Sequence, residues 1–125
     1  VCIGSFSDAR LHSVRRELGP DVATSAGPVD VAATRLLPRL LTRWLRSPSL
    51  ALQVPVTHRV GPWTATVVTA GFLRAAHEAG KHVHVWTIDA ADEMHRLLDL
   101  GVDGIVSDRI DVLRDVLAER GHPLR

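Results

Sequence analysis

Between Lys81 and Gly121 the chain switches repeatedly between short apolar runs and amphipathic segments: KHVHVWTI, DAADEMHRLLDLG, VDGIVSD and RIDVLRDVLAERG. Short runs rich in β-branched and aromatic residues predict strands, and apolar positions recurring three and four apart predict helices. Met94, Leu97 and Leu98 form one such helical stripe, and Val112, Leu113, Val116 and Leu117 form a second. Strands that are apolar almost throughout are covered on both faces, the condition of strands in a parallel sheet flanked by helices. The alternation therefore restricts the chain to a doubly wound sheet or a (β/α) barrel.

The same rhythm extends towards the N-terminus. Val1 to Phe6 reads as a strand, Ser7 or Asp8 as a helix cap, and Leu11, Val14 and Leu18 as the apolar stripe of a helix stopped by Gly19-Pro20. DVATSAG reads as a short strand. Asp30 is expected to cap a helix carrying Leu36, Leu37, Leu40, Leu41, Trp44 and Leu45, kinked or divided at Pro38. Leu50 to Val56 reads as a strand, THRVGPW as a loop, TATVVT as extended chain serving either as a strand or as a lead-in to a helix, and AGFLRAAHEAG as a helix closed by Gly80. Asp89 is expected to cap the helix after the VHVWTI strand, and Gly101 to end it. Residues 1–125 thus read as one domain, opening in mid-strand at VCIGSF as part of a longer protein would.

Composition removes several classes of function. Fifteen Lys and Arg against fourteen Asp and Glu leave a formal charge of +1, with the arginines spread over several helices, so no nucleic-acid footprint is expected. No apolar run is long enough to span a bilayer. Cys2, the single cysteine, excludes an internal disulfide, reads as core filler, and is compatible with the cytoplasm, leaving localisation open. A phosphate-binding glycine loop, a nucleophile elbow and a His-Glu-x-x-His motif are all missing from the sequence.

In both parallel architectures ligands bind beyond the C-terminal ends of the strands. Those ends carry Ser5, Phe6, Ser7 and Asp8; Ser25; Gln53 to His58; Trp86 to Asp89; and Ser107, Asp108 and Arg109. Asp8, Asp89 and Asp111 stand where helices begin, so capping competes with a direct role for each. His82 and His84 point to one face of a strand and could join a zinc site, but no third ligand is spaced to complete it. His82, next to Lys81 at the strand's start, reads instead as solvated and His84 as a hydrogen-bonded residue of the sheet, while His77, His95 and His122 read as exposed. His58 draws notice because it follows a strand.

VHVWTIDAADEMHRLLDLGVDGIVSDRIDVL resembles the glycerophosphodiester phosphodiesterase family. Trp86, Thr87, Ile88 and Asp89 match a strand ending in Trp-Thr-Val-Asn, and Gly101 to Ile105 with Ser107 and Asp108 match the family's Gly-Val-Asp-Gly-Ile followed by Thr-Asp. Asp89 stands where Asn is usual and Ser107 where Thr is usual. The resemblance implies an α/β fold, the C-terminal half of a TIM-type (β/α)8 barrel. It also implies hydrolysis of glycerophosphodiesters to glycerol phosphate and an alcohol, with a divalent cation, Ca²⁺ or Mg²⁺, in the complete barrel.

The family's His-Arg-Gly strand, Glu-x-Asp metal pair, second catalytic histidine and Glu-x-Lys strand have no counterpart in these residues. The chain is accordingly expected to hold no catalytic residue and no metal of its own, and to be inactive alone. Trp86, Ser5, Phe6 and Gln53 are expected as substrate-binding wall residues, Trp86 against the glycerol. Exposed barrel edges predict self-association or pairing with the missing N-terminal half. The rival reading is a non-catalytic barrel module kept for assembly or ligand binding.

Overall fold

A computed structural model describes residues 2–5, 7–19, 21–36 and 49–122. The described elements are β1 (Cys2–Ile3), α1 (Asp8–Leu18), β2 (Ala23–Thr24), α2 (Pro28–Leu36), β3 (Ala51–Pro55), β4 (Thr57–Val60) and β5 (Trp63–Thr66). They continue with α3 (Ala70–Glu78), β6 (His82–Trp86), α4 (Ala91–Leu100), β7 (Gly104–Ile105) and α5 (Ile110–Glu119). The helix expected through Leu37, Leu40, Leu41, Trp44 and Leu45, with its break at Pro38, lies outside the described residues, as does Phe6.

β1 pairs in parallel with β2, and β3 with β6 and β6 with β7, all in parallel. A parallel bridge from Ser25 to Ala51 joins the two groups, supported by Ala26 N–H donating to the Ala51 carbonyl at 2.7 Å. The strands therefore run β1-β2-β3-β6-β7 in chain order, an arc of a (β/α) barrel with helices between successive strands.

Register decides which side chains the arc buries. Leu52 lies beside Val83, and Val54 beside Val85, which lies beside Ile105. Leu52, Val54, Val83 and Val85 are at most 1% exposed, packed with Phe72, Leu73 and Ala76 of α3, Met94 and Leu97 of α4, and Val116 of α5. This is the outer face, closed by helices. The alternate row Gln53, His84 and Gly104 lies on the inner face, and Gln53 and His84 are only half-buried. A Cβ on Gly104 would stand 2.8 Å from the His84 ring, so glycine is what lets the imidazole cover that strand.

Local signals account for several helix ends. Ser7 caps α1 by accepting from Arg10 N–H at 3.5 Å, and Thr69 caps α3 by accepting from Phe72 N–H at 3.2 Å. Gly101, at φ 101°, ends α4 in the left-handed region. Arg15 ties α1 to the sheet, donating to Thr24 Oγ1 at 2.9 Å and to the Ser25 carbonyl at 3.2 Å. At the base of the arc Lys81 is buried, its Nζ donating to the Ser49 carbonyl at 2.9 Å and to Ser49 Oγ at 2.7 Å.

Several expectations are corrected. THRVGPW, read as a loop, pairs as β4 with β5 in an antiparallel hairpin, to which the extended TATVVT supplies Thr64 to Thr66, with Gly61 at φ 61° opening a two-residue loop as primed hairpin turns require. Cys2 is exposed on β1 and fills no core, because β1 lies at the end of the arc. Leu18 is 52% exposed at the end of α1, so only Leu11 of that stripe is fully buried. Asp30 lies inside the first turn of α2, which starts at Pro28, a residue whose fixed φ suits a first helical position.

Candidate functional site at the mouth of the arc

The C-terminal ends of β1, β2, β3 and β6 surround a cavity of about 730 Å³. Ser5, Gln53 and Trp86, expected from the sequence as wall residues, all line it. Residues from three different strands, far apart in the sequence, thus meet at one mouth.

Each is placed by its own local structure. Ser5 follows β1, and its Oγ accepts from Ser7 N–H at 3.1 Å, which turns the chain into α1. Gln53 stands on β3 close to Gly4, where an added Cβ would meet Gln53 Oε1 at 2.9 Å and Ser25 Oγ at 3.2 Å. Gly4 therefore lets β1 approach the amide. Trp86 ends β6 beside Pro55 in the register, half-buried, and the peptide bond that follows it is cis.

The remaining wall comes from α2, which sequence reasoning did not assign to the site, and from the hairpin, of which it had singled out only His58. α2 contributes Pro28, Val31, Ala32 and Leu36, and the hairpin with the chain after it contributes His58, Ala65 and Val67. The proline immediately after Gly27 was a legible sign of a helix beginning at the mouth. No such sign marked the hairpin, whose strand β5 is exposed throughout and shows no buried alternation.

Asp89 has a different task from the expected one. The residue before α4 is Ala90, without a side-chain cap, while Asp89 Oδ1 accepts from Ser107 Oγ and from Asp108 N–H, both at 2.9 Å. The two positions at which the sequence departs from the family pattern are therefore in contact, joining the ends of β6 and β7. Asp111 lies in the first turn of α5 and is gripped by Arg109 through bonds of 3.0 and 2.8 Å. The Arg109 hydrogen bond holds its carboxyl down to about 2.

His84 covers Gly104 on the inner face, whereas His82 is exposed with Nδ1 3.6 Å from Asp103 Oδ1. Asp103 also accepts from Val83 N–H at 2.7 Å and bonds His77 Nε2 at 2.8 Å, so His77 is exposed, as expected, and has a partner. Burial pushes the Asp103 carboxyl up, but the Val83 N–H and the His77 ring outweigh it and hold the carboxyl below its ordinary value. His95 likewise has a partner, with Nε2 3.2 Å from Glu119.

Among the described residues no group of three or more His, Cys, Asp or Glu side chains could hold a divalent cation. Asp103 serves the base of β6, away from the mouth, and one Asp89 oxygen is already occupied by its two donors. No helix among the described residues is long and apolar enough to cross a membrane.

Comparison with known proteins agrees with the geometry. The chain is 43% identical over 128 aligned positions to Probable glycerophosphodiester phosphodiesterase 2 of Mycobacterium tuberculosis H37Rv, covering 97% of this chain and 46% of that protein. It therefore spans about half the length of that curated relative. A solved structure from Silicibacter pomeroyi, of a protein assigned as a glycerophosphoryl diester phosphodiesterase, superimposes with a TM-score of 0.71 at 23% identity. That match covers 99% of this chain and 40% of the other, and shows the shared barrel fold. The model of the glycerophosphoryl diester phosphodiesterase family matches residues 1–112, and the chain belongs to that family.

Proposed function

We propose that this chain supplies one side of the substrate pocket of a metal-dependent hydrolase that cleaves glycerophosphodiesters to glycerol phosphate and an alcohol. The observation that carries this reading is the convergence of Ser5, Gln53 and Trp86 on one cavity at the strand ends, in a chain of this family. In such a pocket the Trp86 ring offers an apolar face to the glycerol carbons, while Ser5 and Gln53 offer hydroxyl and amide groups to its oxygens. Asp89 and Ser107 hold the ends of β6 and β7 together, which keeps Trp86 in position.

The groups that move protons and hold the Ca²⁺ or Mg²⁺ would come from sequence beyond these 125 residues, because the described residues offer no donor set for the ion. The half-buried inner face and the end strands β1 and β7 would then be covered by the rest of the barrel. Hydrolysis of glycerophosphocholine with Ca²⁺ or Mg²⁺ tests this, comparing the 125-residue chain with the full-length gene product. Activity in the full-length product alone is the expected result. Activity in neither would favour a non-catalytic barrel module, and activity in the short chain would overturn the assignment of the chemistry to other residues.

A further inference from the structure

Charge is divided unevenly along the sequence. Between Asp30 and Glu78 there are six arginines and not one Asp or Glu, while the other nine Lys and Arg stand with all fourteen acidic residues. The hairpin β4-β5 lies inside that acid-free stretch. It leaves the arc at the mouth, directly after β3, the middle strand of the β1-β2-β3-β6-β7 order. The strands that complete a (β/α)8 barrel join at β1 and β7, so the hairpin stands farthest from both seams.

Every residue of β5 is exposed, and so is Arg59 on β4. Trp63, next to the Gly61-Pro62 turn at the tip, is 77% exposed. Arg59 pairs with Thr64 and His58 with Ala65, which sets Trp63 on the face of Ala65 and Arg59 on the opposite face. A rigid partner laid along one face of the ribbon, whether protein or nucleic acid, meets only one of the two. Surroundings that enclose the tip meet both, and the headgroup layer of a bilayer is such a medium. An indole settles where the apolar and polar phases of the bilayer adjoin, and a guanidinium pairs with lipid phosphates.

We propose that the hairpin is a membrane-docking element whose tip enters the headgroup layer of an anionic phospholipid surface and turns the mouth of the barrel towards it. The sign of the charge selects the lipid: the acid-free stretch holds no carboxylate to be repelled by an anionic surface, and its arginines are attracted to one. The proposal goes beyond the phosphodiesterase reading and stands whether or not diesters are cleaved.

Co-sedimentation of the full-length gene product with vesicles tests it, using phosphatidylcholine alone and an equimolar mixture with phosphatidylglycerol. The expected result is a partition that favours the anionic vesicles and weakens as salt is raised. Trp63→Ala should lower that partition on the order of tenfold, and Arg59→Gln about fivefold. Both positions are exposed, so the unfolding midpoints of the two variants should match that of the parent. Absence of binding to either vesicle, or binding that both variants retain in full, would overturn the docking element. Binding of a DNA duplex with none to vesicles would overturn the lipid as its partner. Equal binding to neutral and anionic vesicles, unchanged in Arg59→Gln, would overturn the choice of an anionic surface.

Discussion

The two faces of the strand arc are made by the same residues in alternation, yet they have opposite characters. On β3 and β6 the residues Leu52, Val54, Val83 and Val85 are sealed under helices, while Gln53, His84 and Trp86 between them are half-buried at an open face. The outer face is a core whose value lies in filled volume. The inner face and mouth carry polar groups, glycines at close approaches and a cavity, so their value lies in what they can touch. Stability and recognition are thus separated by one residue of register.

Substitutions can break that separation or sharpen it. Leu97→Ala, under the outer face at 0% exposure, should cost the most stability, about 2–5 kcal/mol in urea unfolding, and a loss below about 1 kcal/mol would show that this face is not a packed core. Lys81→Ala at the base should cost about 1–3 kcal/mol, because the Ser49 carbonyl and hydroxyl lose a buried donor. On the inner face, Trp86→Ala should lower kcat/KM of the full-length product on the order of tenfold, with less loss of stability than Leu97→Ala. The reverse pattern, lost stability with intact kinetics, would place Trp86 with the core.

Smaller effects are expected at the surface. The Asp103 carboxyl is held below its ordinary value in the folded chain, so the unfolded chain binds its proton more readily. Its contribution is complete above the unfolded-state pKa and is lost as pH falls through the lower folded value. Asp103→Asn should accordingly flatten the acid limb of stability against pH, and an unchanged limb would remove Asp103 from the account. Arg96→Gln breaks an exposed pair with Glu93 and should change stability by no more than about 0.5 kcal/mol in the same unfolding assay.

How far the sequence could be read depends on the distance over which each feature is decided. The caps at Ser7 and the stop at Gly101 were legible because a helix end is satisfied by residues within one turn of it. The pairing of THRVGPW was not, because none of the described side chains of β4 and β5 is buried so as to impose alternation, and pairing alone makes it a β-structure. Asp89 read as a cap because its partner, Ser107, is 18 residues away on another strand end. His82 read as solvated from its place at the start of β6 and is exposed, but its approach to Asp103, 21 residues on, could not be read locally.

By itself the sequence determined the βα alternation, the valines of β6 as core, the family, and the wall residues Ser5, Gln53 and Trp86 as candidates, since periodicity and short motifs are local properties of a chain. The tertiary structure alone decided that these three share one cavity, that α2 and a hairpin complete its apolar wall, and that Asp89 and Ser107 join two strands. The physical reason is that parallel strands bring together residues separated by whole helices, and nothing within one turn of a residue specifies which distant neighbour the register will set beside it.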